Sequence, residues 1–215
     1  MKGTAEKIYG FMDVIEQLCH VRRDIYRRDG VKESDSDHIM KLSLLLLLVL
    51  PYIKQPVDAR KVLELALVHD LAESDAGDTP RLQSDHSPEI KAMKKIRETE
   101  AIQKYRDALP EPIGRKIFDL FAEYEERKTP EAKLVKAFDK FEGDMQALKE
   151  NKGLRFYQDG RYKFILNYLK EDLDAAENED EPLMVELQKL QLALAQNYID
   201  ELLADGSLER AGDAK

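Results

Sequence analysis

"ALVHDLAESDAGDTP", residues 66–80, passes from an apolar run into His69-Asp70 and then through Glu73, Asp75 and Asp78 to a glycine-containing turn. A histidine and several acids stand where a core helix should continue inward, and a buried charge is costly unless it is paired or binds a metal. The segment reads as the end of a helix that starts near "PVDARKV", capped by Asp58, and stops around Gly77, a residue suited to a left-handed C-terminal position. On one such helix His69 and Glu73 lie four apart and Asp70 and Glu73 three apart, so all three share one end of one face.

Outward from this stretch nearly every segment shows helical rather than alternating periodicity, and β-branched residues are scattered, which predicts an all-α chain. A first helix is expected from about residue 5 to 20, followed by the arginine-rich connection "VRRDIYRRDG" at 21–30. Next, "ESDSDHIMKL" offers Ser34, Ser36 or Asp37 as N-cap to a helix running through the leucines to Pro51, with His38 in its first turn. "SPEIKAMKKIRETEAIQKYRDALP" supplies a helix from near Pro88 and "EPIGRKIFDLFAEYEER" a shorter one, divided at Leu109-Pro110. In "TPEAKLVKAFDKFEGDMQALKE", 129–150, Thr129 is the cap and Pro130 takes the first helical position. Its stripe of Leu134, Phe138, Phe141, Met145 and Leu148 leaves Asp139 at the edge of the buried face. The last helix, 183–203, is read with its apolar stripe on Leu183, Leu187, Leu190, Leu194 and Tyr198.

At 215 residues the chain can bury a substantial core. The lone Cys19 cannot pair within the chain, which suits a reducing compartment, and the expected location is the cytoplasm. Glu6, Asp13 and Glu16 interrupt the N-terminal apolar residues, so no secretory h-region is read there. "LSLLLLLVLPYI", 42–53, is shorter than the roughly 18 apolar residues of a membrane span and reads as a buried core helix. A formal net charge of −9 argues against a partner that is a nucleic-acid polymer, because such binding rests on many phosphates neutralised by Lys and Arg. It leaves room for a small phosphorylated ligand. Arg22, Arg23, Arg27 and Arg28 form either a phosphate grip or a solvated basic patch balancing nearby acids.

Imidazole nitrogen and carboxylate oxygen together suit a divalent transition metal, and an open coordination position lets such a metal acidify a water molecule. His38 opens one helix, His69-Asp70 close another and Asp139 lies on a third, so three helices can converge on one ion. An HD dipeptide arises often by chance, and each histidine taken alone also reads as a satisfied core or surface residue.

The pieces "ESDSDH" (33–38), "ALVHDLAESDAGDTP" (66–80) and "EYEERKTPEAKLVKAFDKFEGDMQA" (123–147) together resemble the HD-domain metal-dependent phosphohydrolases, in the branch that includes bacterial 5′-deoxynucleotidases. The resemblance covers about residues 15–150. It implies an HD-domain helical bundle with additional C-terminal helices: one domain over 1–205, with a flexible tail at 206–215. It further implies His38, His69, Asp70 and Asp139 as ligands of one divalent cation (Co, Mn, Zn, Fe, Ni or Mg), and Glu73 as the residue that orients or deprotonates the attacking water. Asp78 matches a position beside the scissile phosphate, as proton donor or anchor. Arg23, fifteen residues before His38, matches a phosphate-binding arginine, with Arg22 as its alternate. Lys136 either contacts phosphate or pairs with an acid one turn away, and Glu125 either faces the pocket or ends a solvated helix. His20 and His86 match no ligand position.

The implied activity is hydrolysis of a phosphate monoester, a nucleoside 5′-monophosphate foremost, by a protein that works as a homodimer. A hydrolase of a signalling nucleotide and a non-catalytic nucleotide-binding module are the alternatives. Two departures stand out: "SDSDH" replaces a Ser-Val-Ala-Glu-His type of sequence, and Asp24 follows Arg23 where the branch typically has Trp. The second puts deoxyribose selectivity in question.

Overall fold

The computed structural model describes residues 2–79, 87–158 and 161–209; Pro80, His86 and the last residues of the expected tail, 210–215, lie outside these. The described chain is helical apart from one hairpin. In order it forms α1 (Lys2–Leu18), β1 (Arg22–Tyr26), β2 (Lys32–Ser34), α2 (Asp35–Val49), α3 (Ala59–Val68), α4 (Glu73–Ala76), α5 (Pro88–Ala108), α6 (Ile113–Glu126), α7 (Pro130–Lys149), α8 (Leu154–Tyr157), α9 (Tyr162–Asn178) and α10 (Pro182–Ala204).

Two compact units share these elements. The first is drawn from Met1–Asp24, Lys32–Leu48 and Val57–Asp139. Here α5 packs on α6, α3 on α6, and α4 on both α1 and α5. Leu42, Leu46, Val62, Leu65, Ile102, Tyr105, Phe121, Val135 and Phe138 are buried. The helix starts carry the caps their sequences call for. Ser34 Oγ accepts from Asp37 N–H at 3.1 Å while Asp37 Oδ2 accepts from Ser34 N–H at 3.2 Å, a reciprocal capping box that opens α2. Asp58 accepts from Arg60 and Lys61 N–H at the head of α3, and Thr129 Oγ1 from Ala132 N–H at the head of α7.

Three local expectations are corrected. First, α3 does not run to Gly77: it ends at Val68, and bonds from Leu71 N to Val68 O and from Glu73 N to Asp70 O close tighter three-residue turns before the short α4. Ser74 Oγ reinforces the turn by donating to Leu71 O at 2.8 Å while meeting Tyr105 Oη at 2.5 Å. Gly77, at φ 72°, ψ 149°, stops α4 in a conformation that only glycine adopts readily. Second, the leucine run is buried on one face only. Ile39, Leu42, Leu46 and Val49 turn inward, while Met40, Leu44, Leu47 and Leu48 are more than half exposed. Third, the arginine-rich connection contains strand β1, whose alternating exposure puts Arg22 outward and Arg23 inward. The Asp29-Gly30 turn at its tip was the sequence signal for a hairpin.

The second unit is drawn from Ile25–Val31, Val49–Pro56 and Lys140–Lys215. Here α9 packs along α10 around Leu148, Tyr157, Tyr162, Leu169, Ala195, Ile199, Leu202 and Leu208. The Glu181 carboxylate accepts from the N–H groups of Lys54 and Gln55 at 3.0 and 2.8 Å. The buried stripe of α10 is Met184, Gln188, Gln191, Ala195, Ile199 and Leu202, one position away from the expected one, and Leu190 is exposed. Both stripes obey the helical period. Burial of Gln191 is made tolerable by its Nε2 donating to Phe141 O at 3.4 Å.

Candidate metal centre

The first unit brings together side chains from three helices, two of them at helix ends and one mid-helix. His38 is fully buried in the first turn of α2, His69 sits at the C-cap of α3 with Asp70 beside it, and Asp139 projects from α7. His38 Nε2 lies 3.0 Å from Asp139 Oδ1 and 3.8 Å from Asp70 Oδ2. His69 Nε2 lies 3.0 Å from Asp70 Oδ2 and 3.8 Å from Asp139 Oδ1. His38, His69 and Asp139 each offer a ligand atom, all within 4.8 Å of one another.

Whether these atoms suit a cation can be argued from their surroundings. Ligands about 2.0–2.2 Å from a common ion stand about 3.0–3.5 Å apart in octahedral or tetrahedral arrangements, close to the separations found. His69 Nδ1 lies 2.8 Å from Ala66 O, a carbonyl that can only accept, so Nδ1 carries a proton and Nε2 is the ring nitrogen turned to the cluster. That Nε2 is buried and hydrogen-bonded to nothing. Asp139 is oriented too: Tyr124 Oη and Lys136 Nζ donate to its Oδ2 at 2.8 and 2.7 Å, leaving Oδ1 towards the histidines. The residues fit a divalent cation.

The charges follow the same division. Burial works to raise Asp70, but the adjacent His69 and His38 outweigh it and hold the carboxyl well below its usual range. Asp139 likewise overcomes burial through Lys136 and the histidines and is held low. Burial works against the Arg23 guanidinium, yet Asp70, Asp139, Asp78 and Glu33 raise it above its ordinary value.

A second group of acids behaves in the opposite way. Glu73 is buried, its Oε1 accepts from Lys94 Nζ at 3.0 Å, and its Oε2 is buried without a hydrogen bond. Burial, then the charge of Asp70, pushes it well above the carboxylate range against the pull of Lys94. Asp78 is raised by burial and by Asp70, opposed by Arg23 and Lys94. Asp35 is fully buried with neither oxygen hydrogen-bonded, and burial with Asp70 and Asp78 pushes it up to about 7. Pairs of groups whose surroundings drive them apart in this way are typical of functional sites.

The remaining expected residues are placed as follows. Arg23 Nη1 donates to Asp70 Oδ2 at 3.2 Å, whereas Arg22 is exposed and donates to Cys19 O at 2.7 Å. Lys136 pairs with Asp139, three residues on, and reaches Tyr124 Oη at 3.1 Å. Glu125 and His20 are exposed, and Asp24 pairs with Lys32 across the hairpin at 3.0 Å. The route linking Glu73 to the site is not the shared helical face that the spacing suggested, because the tight turn at residues 69–72 intervenes.

Sequence reasoning missed Glu33, Asp35, Tyr124 and Lys94. Tyr124 had a signal: it lies on the buried row of α6 with Leu120 and Phe121. Lys94 had none to separate it from Lys91 and Lys95.

The family model for the HD domain matches residues 15–180. The chain belongs to the HD domain family. Among curated relatives it is 36% identical over 150 residues to the 5′-deoxynucleotidase HDDC2 of Dictyostelium discoideum, covering 66% of this chain and 76% of that protein. It is 32% identical over 171 residues to HDDC2 of Mus musculus, covering 75% and 82% respectively. Its fold is similar to a Magnetospirillum magnetotacticum structure named "Predicted metal-dependent phosphohydrolase", with a TM-score of 0.68 at 23% identity and 96% of each chain covered. The matched range contains His38, His69-Asp70 and Asp139.

Proposed function

We propose that this HD domain is a metal-dependent phosphohydrolase that cleaves the phosphate monoester of a nucleoside 5′-monophosphate, with His38, His69, Asp70 and Asp139 holding one divalent cation. The observation that carries the reading is the buried Nε2 of His69, without a hydrogen bond, set among His38, Asp70 and Asp139. The names of the HDDC2 relatives support the substrate class. A cation held there supplies Lewis acidity to the phosphate and to water.

The chain's own groups divide the remaining work. Glu73 takes the proton of the attacking water on Oε2, the oxygen that Lys94 leaves free, and burial gives it a higher proton affinity than an ordinary carboxylate. Arg23 holds the phosphate, and Lys136 adds its charge from beside Asp139. Asp78, whose carboxyl keeps its proton more readily than an ordinary aspartate, gives it to the leaving oxygen. No Gly-rich phosphate cradle is present in the sequence, which favours monophosphates over triphosphates.

The protein is further proposed to act in the cytoplasm as a homodimer. The exposed row of Met40, Leu44, Leu47 and Leu48 on α2 supports self-association, and among the described residues no helix is long and apolar enough to cross a membrane.

A phosphate-release assay with matched ribo- and deoxyribonucleoside mono- and triphosphates, run with each of several divalent metals, tests the reading. Release from monophosphates, abolished by chelator, is expected; exclusive use of triphosphates overturns the substrate class. Because Asp24 stands where the branch typically has Trp and pairs with Lys32, discrimination between ribose and deoxyribose is expected to be weak.

A further inference from the structure

Glu33 has no place in the reaction as set out above, yet it is fully buried. A carboxylate in that position is costly unless its charge is met. Two cations meet it: Lys41 pairs with Oε1, and Arg23 Nε lies 3.3 Å from Oε2. Neither Arg23 Nε nor Glu33 Oε2 makes a hydrogen bond, so what joins these two buried atoms is an ion pair at 3.3 Å. The hairpin sets this up, since β1 carries Arg23 on its inward side and Glu33 lies in β2, the strand hydrogen-bonded to it.

The guanidinium is a rigid planar fork. Glu33 is ion-paired beside Nε at 3.3 Å and Asp70 accepts from Nη1 at 3.2 Å, and two carboxylates set against different nitrogens restrain the plane where one would leave it free to swing. An arginine already held gives up less freedom on gripping an anion than one that must first be ordered. Asp70 is claimed by the proposed cation site as well, whereas Glu33 is not among the four residues proposed to hold that cation. We infer that Glu33 is a positioning residue that holds the Arg23 guanidinium ready for a phosphate group; the inference rests on the reading of Arg23 as the phosphate grip.

Calorimetric titration of the metal-loaded protein with inorganic phosphate tests the pair without relying on turnover. Glu33→Gln is expected to weaken phosphate binding about tenfold, the scale of one charge-assisted contact, and to raise KM more than it lowers kcat. In an Arg23→Ala background the same change should add less than about twofold, since residues acting through one another are not additive. Glu33→Gln takes one counter-charge from each of two cations; should it fail to fold, Glu33→Asp keeps the charge, withdraws it by one methylene, and is expected to weaken phosphate in the same direction. A lowered melting temperature with phosphate affinity at the wild-type level, or full additivity with Arg23→Ala, overturns the assignment. Arg23→Ala that binds phosphate normally overturns the reading of Arg23 and the role of Glu33 together, whereas a weakened Arg23→Ala beside normal Glu33 variants overturns the role of Glu33 alone.

Discussion

Asp35→Asn removes a carboxyl that is fully buried and hydrogen-bonded to nothing, while keeping its size and shape. Its value rises from 3.8 to about 7, with burial as the leading cause and the charges of Asp70 and Asp78 behind it. The folded state therefore favours the neutral acid. Below about pH 4 both folded and unfolded chains hold the proton and the group costs nothing. Between there and pH 7 the unfolded chain releases the proton while the folded chain keeps it, so stability falls as pH rises through this window. Roughly three pH units at about 1.4 kcal/mol each come to about 4 kcal/mol by neutral pH. Urea unfolding of chelator-treated protein, wild type against Asp35→Asn, measures the difference directly. The two should agree within about 1 kcal/mol near pH 4, and the variant should become the more stable by up to about 4 kcal/mol at pH 8. Glu73 and Asp78 also shape the wild-type curve, and because the charge of Asp35 helps to raise Glu73, the growth of the gap with pH reports Asp35 together with its effect on Glu73. A gap that stays constant from pH 4 to 8 would refute the reasoning, because it would mean that Asp35 ionises as easily in the fold as in the unfolded chain.

Glu73→Gln should leave bound metal at the wild-type amount while turnover drops by about 10²-fold or more, the scale of a positioned base; metal lost together with activity would make Glu73 a ligand instead. Asp70→Ala should strip the site, read as loss of about one metal per chain by elemental analysis, and full retention would remove Asp70 from the ligand set. Lys94→Met, which unties Glu73 Oε1, should lower kcat about tenfold with KM little changed, and Lys94→Arg should restore most of it; equal damage from both variants would count against a tethering role.

Much of the candidate site was legible along the chain because several of the residues proposed for it lie in short local signatures. His69-Asp70 with Glu73, Gly77 and Asp78 lie within ten residues, and the caps at Ser34, Asp58 and Thr129 announce three of the helices that carry the site. The partners of those ligands were not legible. Glu33 and Asp35 sit in the polar run "KESDSD", where acids ordinarily face water, and no periodicity separates the two buried ones from Asp37, which serves the cap. Arg22 and Arg23 were equivalent as letters; a strand's period of two set them on opposite sides, and that strand was hidden in a chain otherwise read as helix. The stripe of α10 went to the neighbouring row because hydrophobicity alone does not say which of two adjacent rows meets α9, and the row chosen buries Gln188 and Gln191.

The sequence by itself determined the helical class and the starts of its main helices, since caps, periods and short motifs act over a few residues at most, and its resemblance to a family supplied the candidate His-Asp set. Tertiary structure alone decided which charges meet: His38 and Asp139 are 101 positions apart yet 3.0 Å from each other, and Arg23 reaches Asp70 across 47 positions. It also decided which acids keep their protons, because the value of a carboxyl depends on the water removed from around it and on the charges folded against it, neither of which is written in its neighbours along the chain.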